Sequence, residues 1–284
     1  MKRIILGILP LLLALSLQAQ GVDYTKSDSM KAMGLLRDAG RLKDKSMGSY
    51  MVFFARSLKG LPYVAKTLEK NKTERLVVNL RQLDCTTYVE TVLALSRCMR
   101  QGKPTFAAYC ANLRQVRYKG GVVSYPTRQH YFTYWIQENV HEGLVADIQS
   151  PNPPFSAVQT VKADYMTTHL ESYPMLSRRA QWVRQIAEME KSITGTRQRY
   201  IPKSMVNDSR LMRKTVHNGD IIAIVTTKKG LEISHLGIAV WHSDGLHMLN
   251  ASAIYHRVVE DNNLLKTYLY HQKSALGIRI VRPI

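Results

Sequence analysis

Apolar and polar positions follow a helical period over much of the first half of the chain. Between residues 23 and 72, apolar side chains recur every three or four positions among charged ones, and a second run extends from Tyr88 to Met99. Gly102 and Pro104 end the second run, while Asp84 before it is a residue type favoured at helix N-caps. The pattern therefore predicts a helix that begins directly after Asp84.

The middle of the chain mixes helical periods with loop signals. Helical spacing covers about 105–116, 157–170 and 178–193, and the prolines between residues 150 and 154 mark a loop. Tyr200–Lys203 is also interpreted as a loop.

The last seventy residues instead carry strand patterns. Apolar, β-branched runs occupy 221–225, 231–241, 246–251 and 276–281, and short turns separate most of them. Short connections favour antiparallel pairing. Helices early and strands late predict an α+β fold.

Alternation within the second strand assigns its side chains to two faces. One face is predicted to carry Ile233, His235, Gly237, Ala239 and Trp241. Because Gly237 and Ala239 are small, the helix that follows Asp84 is expected to pack closely against this face.

The first twenty residues have the pattern of a secretory signal. Lys2 and Arg3 precede an apolar run, which ends before a small residue suited to cleavage. Residues 1–20 are therefore predicted to be removed, and residues 21–284 to form one domain. No other stretch has the length of a membrane span, so the chain is expected to be exported to the periplasm without one.

The charge of the chain is strongly positive. Removal of Lys2 and Arg3 lowers the formal net charge from +19 to +17. Such a surface attracts anionic polymers, and outside the cytoplasm cell-wall glycans or lipid headgroups are more plausible partners than nucleic acid. The alternative is a solvated basic surface without a dedicated partner.

The chain has three cysteines, an odd number for an exported protein. Cys98 and Cys110 either form a disulfide, which leaves Cys85 free, or are two buried thiols. No cysteine and histidine spacing suits zinc, so no metal site is expected.

Cys85 lies in the first turn of the predicted helix, where free N–H groups and the helix dipole favour a thiolate. His235 would complete an ion pair of thiolate and imidazolium, and the side-chain oxygen of Asn250 could orient the imidazole. The alternatives are a buried structural cysteine, a core histidine bound to a carbonyl group, and an asparagine that closes a strand.

Residues Tyr125–Trp135 form the densest aromatic cluster of the chain, with Arg128 and His130 among the rings. Aromatic rings stack on sugars, and arginine binds carboxylates through two hydrogen bonds, so the cluster suits a glycan or carboxylate ligand. The alternative is that the cluster only packs in the core.

Three segments together resemble the NlpC-type papain-like cell-wall cysteine hydrolases, and more closely the N-acetylmuramoyl-L-alanine amidase-like branch of that superfamily. They are Leu83–Glu90, Ser234–Ala239 and Leu249–Ser252. Arg128–Phe132 and Tyr200–Lys203 are similar to other characteristic stretches of that branch.

The resemblance implies a papain-like core with helical additions, in which a helix that carries the cysteine packs on an antiparallel sheet. It implies Cys85 as nucleophile, His235 as general base and then acid, and Asn250 as the orienting residue, at a position that is often histidine in these enzymes. It further implies a substrate groove formed by Asp84, Arg128, His130, Tyr131, Tyr200, Pro202, Lys203 and Ser234.

The activity implied is cleavage of the amide bond between N-acetylmuramic acid and L-alanine. Many relatives instead cut between D-glutamate and the diamino acid. A third hypothesis is a cationic wall-binding protein without catalysis. The expected partners are muropeptides, with no cofactor, and the chain is expected to be a monomer.

Overall fold

In the computed structural model, which describes residues 21–284, helices occupy most of the first half and strands most of the last third. The α-helices are α1 (Lys26–Ala39), α2 (Met47–Ser57), α3 (Cys85–Arg100), α4 (Phe106–Arg117), α5 (Phe132–His141), α6 (Tyr165–Thr168), α7 (Pro174–Ser177), α8 (Ala180–Ile193), α9 (Arg210–Thr215) and α10 (Leu265–His271). The strands are β1 (Val145–Ile148), β2 (Ala157–Thr160), β3 (Arg197–Pro202), β4 (Ile221–Thr226), β5 (Ile233–Trp241), β6 (Leu246–Ser252), β7 (Arg257–Glu260) and β8 (Ala275–Pro283). The predicted signal at 1–20 lies outside the described residues.

The strands form one antiparallel sheet in the order β2-β3-β8-β4-β5-β6-β7, and β1 also pairs with β8. Helices α1 to α4 pack on one side of the sheet and α10 on the other. This arrangement confirms the predicted α+β fold. Within residues 21–284, no helix has the length and apolar character needed to cross a membrane.

Helix α3 begins and ends where the sequence pattern predicts. Asp84 is its N-cap: the carboxylate accepts the N–H of Thr87 at 2.8 Å, and the Thr87 hydroxyl accepts the N–H of Asp84 at 2.9 Å. This reciprocal capping box satisfies donors that the first turn would otherwise leave free. Tyr88, Val92 and Leu95 are fully buried, so the apolar face of α3 is fixed against the core.

Two apolar cores lie on the two faces of the sheet. The α3-side core includes Leu236, Ile238 and Val240 of β5, together with the buried face of α3. The α10-side core includes Ala239 of β5, Ile222 and Ile224 of β4, Met248 of β6, and Leu265 and Leu269 of α10.

The prediction that α3 packs on the Gly237 and Ala239 face is therefore wrong. The space above Gly237 is filled from the same sheet: a Cβ there would lie 2.4 Å from Cγ of Met248. A β-bulge also changes the alternation, because Ile224 pairs with His235 while Val225 pairs with Ile233. Ser234 is the extra residue, so Ile233 packs with the α3-side core and does not share the face of His235.

Gly237→Ala is expected to lower the free energy of unfolding by about 1–3 kcal/mol, because the added methyl group overlaps Met248 in a packed core. Urea unfolding followed by circular dichroism measures the loss. Gly34→Ala in α1 is the control: its Cβ would meet only Nη2 of Arg37, at 3.9 Å, so a neutral or stabilising change of up to about 1 kcal/mol is expected. Equal stability of the Gly237→Ala variant and the wild type would contradict this packing.

Two predictions for the middle of the chain are corrected. Residues 157–170 do not form one helix, since Ala157–Thr160 is strand β2, and Tyr200–Lys203 is not a loop, since β3 runs to Pro202. The two strands pair with each other, with Ala157 opposite Tyr200 and Thr160 opposite Arg197. Pairing between segments forty residues apart outweighs the local helical spacing, as is common for short segments. The helix predicted at 178–193 is confirmed as α8.

Candidate active site

Cys85 occupies the first turn of α3, beside the main chain of β5. Cys85 is half-buried, and the backbone N–H groups of Leu236 and Thr86 near its sulfur favour the thiolate. The ladder between β5 and β6 begins only at Ile238, so the sheet is open beside Leu236. The thiol therefore lies beside the residue that directly follows His235.

The imidazole of His235 is bonded to Asn250 of the neighbouring strand. Nε2 of His235 lies 3.0 Å from Oδ1 of Asn250, and Asn250 is fully buried on the α10-facing side of β6. Because a carbonyl oxygen can only accept, this bond assigns the ring proton to Nε2. Nδ1 of the neutral ring is then an acceptor that can take a proton.

The thiol of Cys85 and the imidazole of His235 are both shifted toward their uncharged forms. Burial, with a smaller effect from the Asp84 carboxylate, raises the pKa of the Cys85 thiol to about 12. Burial also lowers the pKa of His235 below 6.5, an effect that the bond to Asn250 opposes. In the free protein near neutral pH, these directions favour a thiol and a neutral imidazole over the ion pair expected from the helix N-terminus.

Two tyrosines next to the thiol and the imidazole were not predicted from the sequence. Burial raises the pKa of Tyr63 to about 12, and the nearby Cys85 and Asp84 add to the shift. Tyr268 of α10 lies over the His235 ring, with centroids 6.2 Å apart and planes 26° apart. Long-range contacts place both tyrosines: Tyr63 forms a β-bridge with Leu83, and Tyr268 is placed by the packing of α10. No local sequence pattern therefore identifies them.

Ser234 lies at the bulge of β5 and is half-buried. Its hydroxyl is 3.4 Å from the carbonyl oxygen of Ile224, a long contact that leaves the side chain free to take another partner. Its predicted contact with substrate stays a prediction.

Arg128 is buried among acidic side chains of this chain. Its guanidinium binds the carboxylate of Glu69, lies 3.6 Å from that of Glu74, and covers the ring of Tyr125 at 4.7 Å. These contacts connect the segment of Glu69 and Glu74 to the Arg128 loop. The predicted contact of Arg128 with substrate stays a prediction.

His130 and Tyr131 are likewise bonded inside the protein. Nε2 of His130 lies 2.8 Å from the carbonyl oxygen of Tyr125, and burial holds its pKa well below 6.5. The hydroxyl of Tyr131 donates to Glu190 at 2.7 Å and accepts the N–H of Met166 at 2.9 Å. Packing contacts thus account for much of this aromatic stretch, and its role toward substrate stays a prediction.

Ile201, within the Tyr200–Lys203 stretch, is connected to His235 by residues that lie opposite each other on neighbouring strands. Ile201 pairs with Ile278, Ile278 with Ile224, and Ile224 with His235. Three strand spacings put the stretch about 14 Å from His235. Tyr200 is mostly buried, Pro202 pairs with Gly277, and Nζ of Lys203 lies 5.4 Å from the ring centroid of Tyr270.

The remaining cysteines and the side chains that could bind a metal were located within residues 21–284. The three cysteines are free thiols. Cys98 and Cys110 are buried and form no disulfide, which agrees with the prediction of two buried thiols. Among these residues, no three His, Cys, Asp or Glu side chains are arranged to hold a metal ion.

The sequence profile of the N-acetylmuramoyl-L-alanine amidase-like family matches residues 53–278, which include Cys85, His235 and Asn250. The chain belongs to this family. The branch suggested by the sequence motifs is thus confirmed, while the wider NlpC-type relationship is compatible with it.

Solved structures support the same family. A N-acetylmuramoyl-L-alanine amidase from Bacteroides uniformis ATCC 8492 is 31% identical, with a TM-score of 0.77, over 84% of this chain and 98% of that one. A Bacteroides fragilis protein provisionally named a xylanase is 36% identical, with a TM-score of 0.74, over 81% of this chain and 99% of that one. A Legionella pneumophila str. Philadelphia 1 protein, 22% identical over 91% of this chain and 95% of that one, shares the amidase-like fold with a TM-score of 0.68. Among curated proteins, none matches the chain.

Proposed function

We propose that this member of the amidase-like family is an exported enzyme that uses Cys85 to hydrolyse the bond between N-acetylmuramic acid and L-alanine in muropeptides. One observation carries the proposal: the Cys85 sulfur lies beside the backbone N–H of Leu236, and Nε2 of the adjacent His235 lies 3.0 Å from Oδ1 of Asn250. Thiol, acceptor nitrogen and orienting amide are the groups that acyl transfer by a cysteine requires.

The first step forms a thioester. Nδ1 of His235 takes the proton of the Cys85 thiol as the sulfur attacks the lactyl carbonyl carbon of N-acetylmuramic acid. The oxyanion that forms is held by backbone N–H groups at the start of α3, including that of Cys85. The imidazolium then gives its proton to the amide nitrogen, the carbon–nitrogen bond breaks, and the stem peptide leaves with a free L-alanine amine.

The second step releases the sugar. His235 takes a proton from water, the hydroxide attacks the thioester carbonyl, and Cys85 leaves as the thiol after it regains the proton. The products are N-acetylmuramic acid, with its carboxylate restored, and the intact stem peptide. The chemistry uses water and the side chains named here.

The basic groups of the protein suit this substrate. The stem peptide carries carboxylates, and Lys203 lies two residues beyond Ile201, which is about 14 Å from His235, a distance that about four extended residues can span. Arg128 contributes indirectly in this proposal, because it holds the Glu69 and Glu74 segment in place.

Mass spectrometry of defined muropeptides, incubated with the mature chain, tests the bond that is cut. The proposal predicts N-acetylmuramic acid, alone or within its glycan, and an intact peptide that begins at L-alanine. Cleavage between D-glutamate and the diamino acid would contradict the amidase proposal and show that the protein is an endopeptidase. Binding of muropeptides without any product would contradict the proposal and indicate a non-catalytic wall-binding protein.

The pH dependence follows from the direction of the His235 shift. The base acts when neutral, and its pKa is lowered below 6.5 by burial. The ratio kcat/KM is therefore expected to rise as pH increases through a value below 6.5 and then to stay level to about pH 8, since the thiol pKa is far higher. Initial rates measured at constant ionic strength check this, and a midpoint above pH 7 would contradict it.

A further inference from the structure

We propose that Tyr268 is a positioning residue for the catalytic imidazole: its ring holds the His235 ring against Asn250 and shields their hydrogen bond from water. The proposal rests on the function proposed above, because it matters only if His235 is the base.

Geometry gives Tyr268 this position. Its ring lies nearly parallel to the imidazole, with centroids 6.2 Å apart and planes 26° apart, within the range of an offset stack. Leu265 and Leu269, on either side of it in α10, are fully buried in the α10-side core. The helix is thus anchored to the sheet face that carries His235.

The imidazole needs a second contact that fixes the orientation of its ring. The bond from Nε2 to Asn250 fixes one atom of the ring and leaves rotation about that contact open. Further along the same face of β5 lie Gly237 and Ala239, which are too small to restrain the ring. Ile224 of β4 pairs with His235 within the sheet, and Tyr268 of α10 supplies the contact with the imidazole from outside the sheet.

The groups around His235 indicate how loss of the Tyr268 ring would change the pKa of the imidazole. The titratable groups around the thiol and imidazole are Cys85 from α3, Tyr268 from α10, Tyr63 and Asp84 beside the thiol, and Asp261 beside the Tyr268 phenol. Burial is the main cause of the low pKa of His235. Removal of the Tyr268 ring admits water, so the pKa of His235 should rise toward its ordinary value of 6.5.

Three variants of the mature chain test the proposal: Tyr268→Ala, Tyr268→Phe and Lys266→Ala, an exposed position on the same helix. Tyr268→Ala is expected to lower kcat about 10- to 100-fold, with KM changed less than about 3-fold, and to move the acidic limb of kcat/KM to higher pH. Tyr268→Phe keeps the ring, so its rate should stay within about 3-fold of the wild type, with an unchanged pH profile. Lys266→Ala should match the wild type.

A readout independent of catalysis separates this proposal from the proposed function. The Nε2 proton of His235, followed by NMR with Asn250→Ala to assign it, should be protected from solvent exchange in wild type and Tyr268→Phe and exposed in Tyr268→Ala. If the wild type cleaves no muropeptide but this pattern appears, the function is wrong and the positioning role stands. If Tyr268→Ala does not fold, Tyr268→Leu replaces it, because it keeps apolar volume without a ring.

Two results would overturn the proposal. Rates and proton exchange in Tyr268→Ala equal to those of Lys266→Ala would show that the ring restrains nothing. A loss in Tyr268→Phe as large as in Tyr268→Ala would assign the effect to the hydroxyl instead of the ring.

Discussion

Cys85→Ala is expected to lower muropeptide hydrolysis on the order of 10⁴-fold or more, because the variant lacks the atom that forms the thioester in the proposed mechanism. Cys85 is half-buried in the first turn of α3, so the loss of its sulfur should leave the fold intact. Product formation over hours, measured by mass spectrometry with circular dichroism in parallel, checks both statements.

Cys110→Ala provides the matched control for this variant. Cys110 is a free, buried thiol in α4, away from β5, and its removal should leave the rate within about 3-fold of the wild type. Turnover by Cys85→Ala above about one-tenth of the wild-type rate would remove Cys85 from the mechanism.

Arg117→Met is expected to lower the free energy of unfolding by about 3–5 kcal/mol, because it leaves a buried carboxylate without its partner. Nε of Arg117 lies 2.6 Å from Oε2 of Glu90, Nη1 donates to the carbonyl oxygen of Val77 at 2.8 Å, and both charged side chains are almost fully buried. Burial raises the pKa of Glu90, while Arg117 opposes the rise, so the pair depends on both members. Urea unfolding at fixed pH measures the loss.

An exposed pair and a double variant complete this test. Arg41→Met breaks a contact with Asp38 whose members are 77% and 48% exposed, so a change below about 1 kcal/mol is expected. The combination of Glu90→Gln and Arg117→Met should lose less stability than the sum of the two single changes, because the isolated charge is gone. Equal losses for Arg117→Met and Arg41→Met would contradict the role given to the buried pair.

The local sequence pattern was sufficient for α3 and for strands β4, β5, β6 and β8, whereas β7 at Arg257–Glu260 was missed. Asp84, the apolar period after it, and the β-branched runs all act within a few residues, and the structure has these elements where they were predicted. The face on which α3 packs was wrong, because the bulge at Ser234 and the side chain of Met248 above Gly237 are set by pairing with other strands.

In the candidate site, too, local patterns could be predicted from the sequence and long-range contacts could not. Cys85, His235 and Asn250 could be selected because each lies at a recognisable point of a helix or strand. Tyr63 and Tyr268 could not, since their approach depends on tertiary packing. The sequence also left the partners of Arg128 unknown, because Glu69 and Glu74 come from a segment more than fifty residues away.

Trapping the covalent intermediate tests the central claim most directly. A muropeptide is mixed with a protein that comprises residues 21–284, the reaction is stopped with acid within one turnover, and the protein is digested for peptide mass mapping. The account predicts an N-acetylmuramoyl group bound as a thioester to Cys85, and none in Cys85→Ala. A peptidyl group on Cys85, an adduct on another residue, or cleavage by Cys85→Ala at the wild-type rate would contradict it.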